Sequence, residues 1–197
     1  MSEHKLLSVN VAQAAPMLIQ GRQIMTGIRK RAVSTLGAPQ AVPVSPLGVQ
    51  GDEQADPTVH GGLNKAVYAY PIEHYAVWQT LRAQAGQQGF DEPLPHGMLG
   101  ENLTISGMLE ADAFVGDVLK FPHCTLAISE PRQPCYKFEA LMGFKQAVKM
   151  MAQSGYCGFY LAVRAPGTLS AGEAFELIPG PREVSIKELF DLAMRRR

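Results

Sequence analysis

Apolar and polar residues alternate in short runs along this chain, and glycine and proline separate the runs. Leu6 to Val11 reads as a first strand, and Arg22 to Ile28 as a second, entered through Gly21. Ala66 to Tyr70 is a strand stopped by Pro71. Asn102 to Ile105, Val118 to Phe121, Cys124 to Ser129, Phe159 to Arg164 and Ala174 to Ile178 complete the set. Alternation sends successive side chains to opposite faces of a sheet, so each run offers one face to a core. Leu47 to Asp52 holds Gly48 and Gly51 and reads as a tight turn; Gly116-Asp117 and Ala165-Pro166-Gly167 are further turn signals. Many short strands with regular turns predict a barrel or a sandwich.

Three stretches switch to helical spacing. Pro71 suits a first helical position, and Ile72, Tyr75, Trp78 and Leu81 follow on one face. Phe144, Ala147, Val148 and Met151 recur likewise, with Gly155 as the stop. Ser185-Ile186-Lys187-Glu188 reads as a capping box opening a helix whose apolar face is Ile186, Leu189, Phe190 and Ala193. Pro179-Gly180-Pro181 sets that helix apart, which predicts a main domain over 1–181 and a helical appendage over 182–197. The appendage needs a surface to pack on, either the barrel or a second subunit. Gly86 to Met98 has no periodicity and is expected to be a mobile loop.

Composition narrows the function classes. Lysine plus arginine number 18 and so do aspartate plus glutamate, so the chain lacks the basic excess usual in nucleic-acid binders. The basic end Arg195-Arg196-Arg197 is expected only to complement a helix dipole. Three cysteines with no C-x-x-C pair argue against a disulfide framework and a structural zinc site. No signal pattern opens the chain and no apolar run approaches membrane-spanning length, so a soluble cytoplasmic protein is expected.

The segment Pro131-Arg132-Gln133-Pro134-Cys135-Tyr136-Lys137 carries the sharpest chemistry. A loop leaving a strand is expected to present Cys135 at its tip, between rigid prolines and two cations. A neighbouring cation favours thiolate over thiol, and a thiolate so placed is a nucleophile or a ligand for a soft metal. The competing reading is a small buried hydrophobe. Gly51-Asp52-Glu53-Gln54-Ala55-Asp56 and His60-Gly61-Gly62, with Lys65 just beyond, let backbone approach a ligand and supply a proton donor and a cation, or form only a polar turn. Asn102, in Gly100-Glu101-Asn102-Leu103, offers an amide or marks a bulge. Thr26-Gly27-Ile28-Arg29-Lys30-Arg31 offers a hydroxyl and three cations that suit a phosphate, or a solvated charge run. His74 is expected to be structural or solvent-facing, and Cys157 buried.

Taken in order, these motifs resemble the MOSC family, the domain shared with the C-terminal part of molybdenum-cofactor sulfurases. The likeness is to its stand-alone bacterial members of the hydroxylaminopurine-resistance kind. It rests on Gly51-Asp52 with Gln54, Ala55 and Asp56, on His60-Gly61-Gly62, on Lys65-Ala66-Val67-Tyr68, on Gly100-Glu101-Asn102-Leu103, on Gly116-Asp117, on Pro131-Arg132 and on Pro134-Cys135, and covers about residues 5 to 180. The resemblance implies a mainly β fold with some α: a β-barrel with a few peripheral helices and one C-terminal helix. It implies a molybdenum pterin cofactor, with Cys135 as metal ligand and catalytic residue. Thr26, Lys30, Lys65, Asn102 and Arg132 fall at cofactor-binding positions, and His60 is the candidate proton donor. Asp52 and Asp56 are expected to hold the loop from behind. The family's stand-alone members carry a longer helical C-terminal region, where this sequence ends after one helix.

The implied activity is a molybdenum-dependent oxidoreductase acting on N-hydroxylated compounds, such as base analogues, in a detoxifying role. No flavin, haem or iron–sulfur motif is evident, so a separate electron-donor protein is expected. The expected partners are that donor and a small-molecule substrate, with room for a homodimer and no nucleic acid or membrane. Sulfur transfer through a Cys135 persulfide is a second reading, and a non-catalytic cofactor carrier a third. A cysteine hydrolase pairing Cys135 with His60 is the weakest.

Overall fold

The computed structural model describes residues 4–54 and 61–196. His60, Ala55 and Asp56 lie outside them. The elements in chain order are β1 (Lys5–Val11), β2 (Ala15–Ile19), β3 (Arg22–Thr26), β4 (Arg31–Thr35), β5 (Val42–Ser45), β6 (Gly48–Val49), β7 (Val67–Pro71), α1 (Tyr75–Gln84), β8 (Leu103–Ser106), β9 (Val118–Lys120), β10 (Thr125–Pro131), α2 (Tyr136–Met142), α3 (Ala147–Ser154), β11 (Phe159–Ala165), β12 (Gly167–Leu169), β13 (Glu176–Ile178) and α4 (Ile186–Arg195).

Eight strands form the main sheet, in the order β13-β9-β10-β11-β7-β8-β1-β4. Its pairings are antiparallel except β7 with β8. A parallel pair cannot be joined by a hairpin, and here the crossover is the long connection 72–102 that carries α1. The sheet curls so far that its opposite regions meet. Leu6 N–H donates to the Glu173 carbonyl at 2.9 Å, Gly172 N–H to Leu6 at 2.7 Å and Phe175 N–H to His4 at 3.1 Å. The barrel-like form is thus tied by a short bridge rather than by a full ladder between β13 and β4. Two small sheets, β12-β5-β6 and the hairpin β2-β3, flank it.

The core takes one face from each strand: Leu6 and Val9, Val67 and Ala69, Leu103 and Ile105, Leu126 and Ile128, Phe159 and Leu161. β7 is buried along its whole length, as expected of a central strand. Ser8, Asn10, Thr104 and Glu101 are buried polar exceptions that satisfy one another. Glu101 also accepts from the N–H groups of Gly97 at 2.7 Å and Leu99 at 3.0 Å and from the Tyr75 hydroxyl. Unpaired, such groups would each cost about 1–3 kcal/mol.

α4 docks on the same core. Ile186 and Phe190 are fully buried, and Lys187 N–H donates to the Glu110 carbonyl at 3.0 Å. Both halves of the capping box are present at Ser185. α1 starts later than the sequence suggests, because Pro71 opens a 3-10 turn, Ile72–His74, ahead of it. Gly155 ends α3 in the left-handed conformation. The sequence reading missed α2, β2, β4, β5 and β12, and it took for a turn the short strand β6, which pairs with β5. The stretch 86–98 has no regular structure. It is nevertheless pinned: Arg82 Nε donates to Gln88 at 2.8 Å, and Leu94 is buried.

Candidate functional site

One cleft gathers chain segments that are far apart in sequence. Its walls include Thr26, Gly27, Ile28 and Lys30; Asp52, Glu53 and Gln54; Lys65 and Tyr68; Gly100 and Asn102; Arg132, Cys135 and Lys137; and Tyr160. The enclosed part of the cleft is about 100 Å³, and beyond it the cleft opens to solvent. Cys135, Lys30, Lys65, Thr26, Asn102 and Arg132, predicted from the sequence, all reach it.

Close backbone packing builds the first wall. Thr26 ends β3, and its Oγ1 accepts from Ile28 N–H at 3.3 Å. A Cβ on Gly27 would stand 2.3 Å from the Glu53 carbonyl oxygen, so only glycine lets these two segments touch. Gly100, with a φ of 83°, approaches the same turn: a Cβ there would lie 2.9 Å from Ile28 Cγ1.

Asp52 is the hub of that wall. Its Oδ1 accepts from Lys30 Nζ at 2.5 Å and from Ala12 N–H at 2.9 Å, and its Oδ2 from Asn102 Nδ2 at 2.8 Å. Asn102 is engaged on both sides of its amide: Nδ2 also donates to the Asn10 carbonyl at 3.2 Å, and Oδ1 accepts from Tyr68 N–H at 3.1 Å. The amide expected to meet a ligand thus ties strands together. Burial pulls the Lys30 ammonium below the usual lysine value; Asp52 and then Glu101 pull it back up, and Arg132 adds to the lowering.

The opposite wall follows β10. Arg132 is buried, with its guanidinium over the rings of Tyr68 at 5.0 Å and Phe138 at 4.9 Å, and Nη1 donates to the Leu99 carbonyl at 3.3 Å. Burial works against its charge, but Tyr68, Tyr160 and Cys135 more than offset that and hold it above the ordinary arginine value. Cys135 is half-buried, in extended backbone, as the residue capping the short α2. It therefore opens a helix rather than sitting at the tip of a loop. Lys65 reaches Glu130 at 3.4 Å and stands 5.8 Å from the Tyr160 ring. The sequence reading did not pick out Tyr68 or Tyr160 as wall residues. They face each other in register across β7 and β11, a pairing that only the sheet order reveals.

The remaining candidates are structural. His74 is buried, bonded to Glu110 at 2.7 Å and stacked on Tyr156 at 3.8 Å. Cys157 is fully buried. Among the described residues no helix is long and apolar enough to cross a membrane, and no cluster of three or more His, Cys, Asp or Glu could hold a metal ion.

The donor set fits a thiol-bound metal carried by an anionic organic cofactor. One half-exposed thiol shares the cleft with four cations, Lys30, Lys65, Arg132 and Lys137, against two carboxylates, Asp52 and Glu53.

Known proteins agree with this architecture. The chain is 36% identical to YflK of Bacillus subtilis (strain 168) over 185 residues, 93% of this chain and 78% of that protein. It is 33% identical to YiiM of Escherichia coli (strain K12) over 147 residues, 75% of this chain and 63% of that one. A protein named Reductase from Gibberella moniliformis (strain M3125 / FGSC 7600) matches at 32% over 140 residues, 70% of this chain but 24% of its own length. The crystal structure of YiiM from Geobacillus stearothermophilus superposes with a TM-score of 0.73 at 28% identity, covering 98% of this chain and 85% of that one. The MOSC domain model matches residues 56–176, and on that match and these relatives the chain belongs to the MOSC domain family.

Proposed function

We propose that the protein binds a molybdenum pterin cofactor in the cleft and reduces N-hydroxylated compounds, such as hydroxylaminopurine-type base analogues. The observation that carries this reading is the placement of the Cys135 thiol among an excess of cations in one cleft. Family membership supports the molybdenum connection, and the fungal relative named as a reductase supports the reaction class.

When bound, the cofactor would supply the two-electron chemistry that cleaves an N–O bond. In balance, R–NHOH, two electrons and two protons give R–NH2 and water. The electrons would come from a separate donor protein. This chain would contribute Cys135 as metal ligand. Arg132, clamped between Tyr68 and Phe138, would give a fixed positive charge nearby. Lys65 and Lys137 would hold anionic groups of the cofactor, and the Thr26 hydroxyl would complete the polar wall. His60, the proton donor suggested by the sequence, lies outside the described residues.

The test is molybdenum and pterin content per chain, for wild type and Cys135→Ala, from a host that makes the cofactor, followed by reduction of an N-hydroxylated base. The wild type is expected to carry both metal and pterin and to reduce the substrate once supplied with electrons, and the variant to lose molybdenum. Pterin that stays regardless of Cys135, without turnover, would instead mean a carrier. Neither metal nor pterin, together with an extra sulfur on Cys135 after incubation with a cysteine desulfurase, would mean sulfur transfer.

A further inference from the structure

The cleft wall contains an ion pair that is not surface decoration. The side chains of Lys30 and Asp52 are 8% and 7% exposed, and they meet at 2.5 Å. Asp52 cannot swing away, because the Ala12 N–H and the Asn102 amide hold its two oxygens, and Asn102 is itself locked by Tyr68 and Asn10. Lys30 differs. An ammonium has three donors, and among the described residues Asp52 is the one hydrogen-bond acceptor on its Nζ. Buried donors left unmatched are costly, so a ligand with acceptor oxygens in this cleft would complete the group.

We propose that Asp52 is a positioning residue: its carboxylate keeps Lys30 charged and fixed in the cleft wall, so that the Lys30 ammonium grips an anionic group of the ligand. This deepens the proposed function and rests on it only in taking the cleft to receive an anion. The charged groups around Lys30 are Asp52 from the turn after β6, Glu101 from the loop before β8 and Arg132 from the loop after β10. Burial is the largest influence on Lys30 and opposes its charge, with Arg132 in the same sense. Asp52 is the main counterweight, and without it Lys30 would lose its proton at a lower pH.

The sign of the effect separates this role from simple electrostatics. Removing a carboxylate from an anion site should by itself strengthen anion binding at every pH. If Asp52 instead maintains Lys30, its removal weakens binding where Lys30 discharges and spares it where Lys30 stays protonated.

The experiment uses inorganic sulfate, whose charge is constant across the range, and calorimetric titration of the full chain from a host lacking the molybdenum cofactor. For Asp52→Asn, affinity is expected to fall about tenfold relative to wild type at about pH 8.5 and to equal or exceed wild type at about pH 6. The double variant Lys30→Met/Asp52→Asn, which removes both charges of the pair together, should bind weakly with no such pH dependence. Near-ultraviolet circular dichroism checks that each variant is folded. Equal or tighter binding by Asp52→Asn at both pH values overturns the proposal. So does an equal loss at both, which would give Asp52 a purely structural role. Failure of wild type to bind sulfate overturns it too, and leaves the molybdenum measurement on Cys135 to judge the wider function independently.

Discussion

Three thiols in one chain sit in three electrical environments. Burial, and then the charge of Glu173, pushes the Cys124 thiol up to about 12. Burial, and then Glu110, pushes Cys157 well above its ordinary value. Both remain thiols at neutral pH, and both are closed to solvent. Cys135 is half-exposed in the cleft. Alkylation of the folded protein by iodoacetamide at about pH 8 should therefore modify Cys135 and spare the other two, because the thiolate reacts and access limits it. Peptide mass mapping reads the result, and labelling of Cys157 before Cys135 would contradict this assignment. The sequence already singled out Cys135, through its flanking prolines and cations. It could not show that Asn102 spends its amide on Tyr68, Asn10 and Asp52, since those partners lie up to 92 positions away.

Among the elements, α4 joins local to global order. Its capping box satisfies the first N–H groups, and its buried Ile186 and Phe190 fix it to the sheet. Ser185→Ala removes the side-chain acceptor for Glu188 N–H and should cost about 1 kcal/mol, read as a lower urea midpoint with unchanged slope. A changed slope would instead mean that α4 detaches as a separate unit. This helix was legible because its signals are local: Ser185, Glu188 and a clean apolar face. α2 was not. Its seven residues show only Phe138 and Met142 buried, too little for periodicity, although Gly143 marks its end. β4 was hidden because Arg29, Lys30 and Arg31 read as a charge cluster, and an edge strand needs only one buried face. β5 and β12 are short and pair with each other from distant parts of the chain, which no local pattern encodes, while β2 is a mostly exposed arm of a hairpin with β3 and has no face in the main core to betray it.

At the scale of the whole molecule, buried acids govern the response to alkali. The folded values of Cys124 and Cys157 stand above the unfolded value near 9, and those of Tyr68, Tyr70 and Tyr75 above 10. A raised folded value means that the native state keeps protons that the unfolded chain gives up. The stability these groups contribute is complete below about pH 9 and drains away as the pH climbs towards 12. Melting temperatures should hold steady up to about pH 9 and then fall; a flat profile to pH 11 would show that these side chains are not closed off as described.

The cleft draws its walls from β3, the turn after β6, β7, the approach to β8, the exit of β10 and β11. No local unfolding of one strand can leave it intact, and no fragment of the chain can make it. Whatever fills it becomes a clamp across the whole barrel. Filling the cleft at a hundred times the dissociation constant would add about 2.7 kcal/mol against unfolding of the entire domain. If the proposed cofactor is what fills it, a cell short of that cofactor would lose a share of the protein itself, because the empty form reaches the unfolded state, and the proteases that wait there, more often.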